Sequence, residues 1–361
     1  MKRLNQNLWH LSLALPCMLL AVGCDNNTTP EVESNEPVEL QINPTVALTR
    51  GVIQGGSDHG FADNTSISVY ATGTSYTDGN NYAVYTLSSS NWGNTDTSNK
   101  ILLSNEKATI YAYYPSTSSK PTDSKIDIDI LEGNEGGADG TTATIIKAVD
   151  NSSGAIAAAE GEKDYMYATK VENVNNKTEG GVTLAMQHAL AMITFCPKLD
   201  ASYKGNGKLS KIQLKDANDS GTTLGKSNTG SKLNMNVTDG SISGTPVDAN
   251  YVRMIKAANG SDDFTVTTST SNKFSMLVLP TAASIGSNIQ ATFTIDGADY
   301  AVNLTAPTNG SDTNKTGHLL AGNNYTYNVT LKGTELSISS VTVTAWTDGT
   351  FGTGDDNLEI N

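Results

Sequence analysis

The chain has 361 residues, only 17% of them charged, and a formal net charge of -14. That balance excludes a nucleic-acid partner, which needs basic patches to displace counterions, and it excludes electrostatic docking on anionic lipid. Of its cysteines, Cys17 lies in a leader, Cys24 in an acylation context, and only Cys196 remains, so no intrachain disulfide framework supports the fold.

Lys2 and Arg3 precede a mostly apolar run over residues 8–23, closed by Leu20-Ala21-Val22-Gly23-Cys24. This is the layout of a secretory signal peptide over residues 1–23. The run is short, and it is interrupted by His10, Ser12 and Pro16, so it does not read as a membrane span. Small residues before Cys24 suit a lipoprotein signal peptidase, which leaves acyl chains on that cysteine, although Ala21 stands where leucine is commoner. Ordinary cleavage beside an incidental cysteine is the alternative. Either route exports the chain.

Residues 25–37 are acidic, rich in Asn and Thr and free of aromatic side chains, the composition of a flexible tether. Val38-Glu39-Leu40-Gln41-Ile42 then alternates with the period of a half-buried strand, and residues 46–51 follow as another apolar stretch. Further strands are predicted at residues 66–71, at 108–114, where Pro115 stops the run, and at 126–130 on the surface. Residues 133–140 read as a loop, and 155–162 as one short helical turn at most. After a polar stretch over 172–181, strands are predicted at 186–195, 210–214, 233–237, 264–267, 274–279, 290–295, 300–304, 325–331 and 336–346.

Short, turn-bounded strands without a long amphipathic helix indicate an all-β fold of antiparallel sandwiches. The polar gap between Val171 and Gly181 suggests two domains, 51–175 and 176–361, after a tether and strand over 24–50.

Chemistry is hard to assemble from this sequence. His59, His188 and His318 lie on distant segments, and no Gly-x-Ser-x-Gly elbow, zinc-type His/Cys pair or phosphate-cradling glycine loop occurs. No catalytic residue, metal site or cofactor is assigned. His188 precedes an apolar run and reads as a packed structural residue, whereas His59 reads as loop surface. Asp127, Asp129 and Glu132 do not make a calcium loop, because Ile128, Ile130 and Leu131 intervene. They read as outward carboxylates on an edge strand that discourage stray pairing. Asp355 and Asp356 read as a solvated tail. Arg50-Gly51, between two apolar strands, is either a site for an Arg-specific protease or an ordinary linker arginine.

Taken in order, the segments resemble the fimbrillin family of Bacteroidetes, the subunits of type V pili. The resemblance is carried by the leader, the Thr49-Arg50 junction, Ser66-Ile67-Ser68-Val69-Tyr70-Ala71, Ala112-Tyr113-Tyr114-Pro115 and Asp164-Tyr165-Met166-Tyr167-Ala168. It continues through Gln187-His188-Ala189-Leu190-Ala191, Leu277-Val278-Leu279-Pro280, and the run from Leu320 through Asn324-Tyr325-Thr326-Tyr327 to Leu331, and ends at Trp346. Thr-Asp-Gly after Trp346 is a minor departure from the family's pattern.

The resemblance implies two transthyretin-like β-sandwich domains in tandem and a lipidated precursor anchored in the outer membrane at the cell surface. It also implies that an Arg-specific protease cuts after Arg50, that the strand within 38–48 leaves, and that a strand from another pilin subunit fills the groove. Leu336, Ile338, Val341 and Val343 are the donor-strand candidates, and the same residues also fit the final strand of the second domain. The resemblance leaves open a ligand on host or bacterial surfaces. A rival reading is a monomeric outer-membrane surface lipoprotein that binds glycans or other ligands without polymerising, with Trp92 and several tyrosines as stacking residues.

Overall fold

The computed structural model of the protein describes residues 36–46, 61, 63–76, 81–96, 98–137, 141–149, 156–218, 223–261, 264–270, 272–308 and 315–346. Within them the chain is all-β, with a short 3-10 turn at Thr122–Ser124. Alternation explains most strands. In Asn323–Lys332, Tyr325, Tyr327, Val329 and Leu331 are buried while Asn328 and Thr330 are only half-buried, as a two-residue side-chain period requires.

An 8-stranded sheet dominates the first part of the chain. Its order is Ile42–Val46, Val182–His188, Met166–Ala168, Ala108–Tyr114, Ser66–Thr72, Tyr82–Ser88, Asn91–Asn94, with Val171–Val174 also pairing to Ala108–Tyr114. Ile67, Val69, Tyr85, Ile110, Leu184 and Met186 share its core. The two outermost strands come close enough for Asn43 and Trp92 to line one groove of about 440 Å³.

A second core lies between a 5-stranded sheet and a 6-stranded sheet. The first runs Ile156–Ala157, Lys273–Val278, Ala191–Leu199, Asn323–Lys332, Glu335–Ala345; the second runs Ala298–Asn303, Ile289–Ile295, Lys208–Asp216, Asn250–Lys256, Ile145–Lys147, with Phe264–Thr265 beside it. Phe195, Phe274, Phe293, Tyr251, Tyr325 and Tyr327 fill the space between them. Each such side chain contributes about 1.5–3 kcal/mol by leaving water. That burial is the main support of a chain whose Cys196 is a free, buried thiol.

The strand pairing differs from the purely antiparallel sandwiches that strand spacing suggests. Ala191–Leu199 runs parallel to Asn323–Lys332, and Val182–His188 runs parallel to Ile42–Val46. Two short pairs, Ile145–Lys147 with Asn250–Lys256 and Ile156–Ala157 with Lys273–Val278, are parallel as well. Spacing constrains which sequence neighbours can form hairpins, and these partners are remote in sequence. The helical turn expected within 155–162 is a correction of the same kind: Ile156–Ala157 is a strand.

Nor does the change of sheet fall in the polar gap between Val171 and Gly181. Val182–His188 still belongs to the 8-stranded sheet, and the chain enters the 5-stranded sheet at Ala191. Conversely, Lys125–Ile128, Ile145–Lys147 and Ile156–Ala157 all pair with later strands. A polar gap marks a solvated turn, and this turn lies within one sheet. A third core, including Tyr70, Tyr113, Leu190, Met192, Leu277 and Trp346, joins residues of the 8-stranded and 5-stranded sheets.

Candidate functional site

The first described residues contribute to two sheets, Val38–Glu39 to a 2-stranded one and Ile42–Val46 to the edge of the 8-stranded one. Val38–Glu39 pairs antiparallel with Leu102–Leu103, and Ile42–Val46 runs parallel along Val182–Met186. Between them the Leu40 N–H donates to the Ile101 carbonyl at 2.9 Å, and the Val182 N–H donates to the Gln41 carbonyl at 2.8 Å. The alternation expected from sequence is present from Leu40 on, where Leu40 (1% exposed) and Ile42 (3%) are buried while Gln41 and Asn43 face outward, but Val38, in phase with Leu40, is exposed. The Tyr85 hydroxyl donates to the Leu40 carbonyl at 2.7 Å. Glu39 pairs with Lys100 at 2.7 Å, and Asn43 Nδ2 donates to the Gly180 carbonyl at 2.8 Å.

Ile42–Val46 has a ladder neighbour on one side only, and Leu40, Ile42 and Pro44 are buried, with Val46 packed against the same core. Taking this segment away would leave one side of Val182–Met186 without backbone partners, with Met186 still paired to Ala168 on the other side, and would open the pockets that Leu40 and Ile42 fill. Cys24, Arg50 and Gly51 lie outside the described residues, as does His59.

The donor-strand candidates lie on Glu335–Ala345, paired antiparallel with Asn323–Lys332 and forming the other edge of the 5-stranded sheet. Leu336 is buried, and Ile338, Val341 and Val343 pack half-buried on the sandwich core. Ladder register shifts between Asn328 and Val329, leaving Ser339 as an extra residue between Ile338 and Ser340. That bulge explains why inward positions change from even to odd numbers along the strand. In this structure these residues therefore serve their own sheet.

Directly after this strand, Trp346 stacks on His188, with ring centroids 3.7 Å apart and planes within 8°. Both are buried, Trp346 at 2% exposure. His188 Nδ1 lies 2.7 Å from the buried Asp164 carboxylate, whose other oxygen accepts from the Tyr165 N–H at 2.7 Å. The backbone reinforces the contact: Trp346 N–H donates to Gly322 (2.9 Å), and Gly322 N–H donates to Leu190 (2.8 Å). His188 is thus a packed structural residue, as its sequence setting indicates. Its partners were not legible, since Asp164 and Trp346 are remote in sequence and carried no pattern linking them.

Other charged residues are held in local networks. Arg253, fully buried, donates to Glu162 (2.9 Å) and to the Leu131 (2.7 Å) and Glu132 (2.8 Å) carbonyls. Burial raises the Glu162 carboxyl above its usual range, opposed by the Arg253 charge and the Leu277 N–H. Asp127 accepts from Asn234, Asp129 pairs with Lys232 at 2.5 Å, and Glu132 pairs with Lys226. Lys125–Ile128, which carries Asp127, is the edge of its 3-stranded sheet, as the alternation suggests. His318 Nδ1 lies 3.2 Å from the Thr281 carbonyl. Among the described residues no group of His, Cys, Asp or Glu is arranged to hold a metal ion.

Among the described residues the chain folds as strands in several sheets, with Ile42–Val46 at an edge. The chain belongs to the fimbrillin-like family, whose sequence model matches residues 49–346. That family is structural and non-enzymatic. No curated protein sequence matches the chain.

Among solved structures, a proposed cell adhesion protein of Bacteroides uniformis is similar over 86% of this chain and 99% of its own, at 18% identity and TM-score 0.57. One from Bacteroides ovatus is similar over 88% and 99%, at 16% identity and TM-score 0.55. At these identities the likeness concerns the fold.

Proposed function

We propose that the chain is a structural or adhesive subunit of a cell-surface pilus, exported as a lipoprotein precursor lipidated at Cys24 and assembled by protease-triggered strand exchange. Family membership supports the pilus or adhesion role. The observation that supports the assembly step is the N-terminal segment, whose edge strand Ile42–Val46 has one ladder neighbour and whose buried anchors are Leu40, Ile42 and Pro44. Its last described residue, Val46, precedes Arg50 by four positions. In this reading an Arg-specific protease cuts between Arg50 and Gly51, and the strand dissociates. A strand from another subunit then satisfies the exposed backbone and fills the vacated pockets. Glu335–Ala345, with Leu336, Ile338, Val341 and Val343, is the donor.

Arg-specific digestion of the purified precursor tests this. The expected product is a ladder of oligomers that withstands mild detergent, with Arg50→Ala remaining monomeric. Cut wild-type protein that stays monomeric at high concentration overturns the reading.

One observation favours a second reading, a surface lipoprotein that binds glycans. The groove of about 440 Å³ beside the N-terminal strand is lined by Trp92 and the amides of Gln41, Asn43, Asn91 and Asn94, a set suited to neutral sugars. Trp92→Ala should then abolish binding on a glycan array while leaving the fold intact.

A further inference from the structure

Strand exchange needs two events at opposite ends of the chain: the N-terminal strand must leave its groove, and a C-terminal strand must leave its own sheet. The structure contains a contact that links the two places. His188 ends the strand Val182–His188, whose start pairs with the N-terminal Ile42–Val46. Trp346 follows directly after Glu335–Ala345, the donor candidate. The two rings stack at 3.7 Å in the core shared by the two sheets.

We infer that the His188–Trp346 stack is an internal latch, which holds Glu335–Ala345 in its own sheet while the N-terminal strand is in place and loosens when that strand departs. The inference rests on the strand-exchange reading above and adds a regulation to it.

Glu335–Ala345 is an edge strand with a ladder neighbour on one side, and most of its residues are exposed or half-buried. Trp346 is its deepest anchor, and the indole is the largest apolar group holding that end. The stack adds to plain burial, and the Trp346–Gly322–Leu190 hydrogen bonds align the strand end with the turn that follows His188. Glu335–Ala345 cannot swing out unless this cluster opens.

Coupling runs through Val182–His188, the strand that carries His188. On its far side Met166–Ala168 pairs with Met186, Gln187 and His188 only. Residues Val182, Thr183, Leu184 and Ala185 have their ladder partners on Ile42–Thr45. When the N-terminal strand leaves, that stretch loses its ladder, and Val182, Leu184 and Met186 lose the residues opposite them, Ile42, Pro44 and Val46. The strand frays toward His188. The imidazole is oriented by Asp164 on one edge and by the indole on its face, and its Nε2 is buried without a partner. A small shift of the strand therefore acts directly on the stack.

The first arm of the test uses the uncut exported chain. Hydrogen exchange should be about tenfold faster or more for Glu335–Ala345 amides in Trp346→Ala than in wild type, as expected when a strand's local anchor is lost, with Lys208–Asp216 unchanged. Trp346→Phe, a milder change that keeps an aromatic ring, should show a smaller increase in the same amides and covers the case in which the alanine variant fails to fold. Equal exchange in wild type and in both folded variants overturns the latch.

The second arm makes Trp346 the sole tryptophan of the exported chain through Trp92→Phe. Cleavage after Arg50 should then shift Trp346 emission to the red in step with ladder formation. A ladder that forms with unchanged Trp346 emission overturns the coupling. Cut protein that forms no ladder overturns the strand-exchange reading, while the exchange comparison still decides whether the latch holds the strand.

Discussion

The Tyr85 hydroxyl donates to the Leu40 carbonyl across 2.7 Å, and both residues are buried. This bond ties the floor of the 8-stranded sheet to the N-terminal strand at the point where that strand crosses from one ladder to the next. Tyr85→Phe keeps the ring but leaves the carbonyl without this donor. The variant should lose about 1 kcal/mol of stability. It should also show faster hydrogen exchange in Leu40 through Val46 than elsewhere. Uniform exchange across the sheet would show that the bond does not secure the strand.

Arg253 supports the sandwich in a different way. Its guanidinium donates to Glu162 and to the Leu131 and Glu132 carbonyls, with all access to water removed. Arg253→Met leaves a buried carboxylate unpaired and should cost about 3–5 kcal/mol in chemical denaturation. Adding Glu162→Gln should recover part of that loss, because the orphaned charge is removed. A double variant no more stable than the single one would place the cost in the carbonyls instead.

Legibility from sequence followed the range of each interaction. Alternation in the Tyr325–Leu331 run and at Leu40, Gln41 and Ile42 gave facing correctly, because a half-buried strand writes its period into adjacent residues, whereas Val38, in phase with Leu40, is 48% exposed. The Ser339 bulge was present as a shift in the apolar spacing from Leu336 and Ile338 to Val341 and Val343. Parallel pairing of Ala191–Leu199 with Asn323–Lys332 left no local trace, since its partners stand more than a hundred residues apart. The Asp164–His188–Trp346 cluster was hidden for the same reason: each residue obeys its own strand, and only the fold makes them neighbours.

The last sandwich strands allow a paired comparison. Val329 is 1% exposed between two aromatic core residues and Leu331, while Asn328 faces outward and donates to the Ser340 hydroxyl at 2.9 Å. Val329→Asp buries an unpaired carboxylate and should destabilise by several kcal/mol, on the order of 3 or more. Asn328→Asp should stay within about 1 kcal/mol of wild type, the scale of one exposed hydrogen bond. Equal melting temperatures for the two variants would mean that the strand faces are reversed.

Alkaline pH should unfold the protein through its buried tyrosines. Burial pushes the Tyr70, Tyr165 and Tyr325 hydroxyls up to about 12, against an ordinary value of 10.0. Between these values the folded state keeps protons that the unfolded state has released. Stability from these groups is thus complete below pH 10 and is lost as pH rises toward 12. Denaturation midpoints should be flat up to about pH 9 and fall steeply above 10, with tyrosinate absorbance rising together with unfolding. Tyrosinate appearing well before unfolding would contradict the burial of these hydroxyls.

The strand reading makes a prediction in trans. If the groove along Val182–Met186 is what assembly fills, a synthetic peptide with residues 38–48 should compete for it after cleavage. Its Leu40 and Ile42 side chains would re-enter the pockets they occupy in the intact chain, and its backbone would restore the parallel ladder. Added in excess at the moment of Arg-specific digestion, the peptide should shorten the oligomer ladder in a dose-dependent way. The same peptide with Ile42→Asp should fail, because a carboxylate in that apolar pocket costs about 2 kcal/mol or more without a partner. The two peptides differ in one buried side chain, so non-specific effects of peptide length or of the outward Gln41 and Asn43 are matched between them. Equal inhibition by both would locate the competition away from the groove, and no inhibition by either would mean that the N-terminal strand and the donor do not share a site.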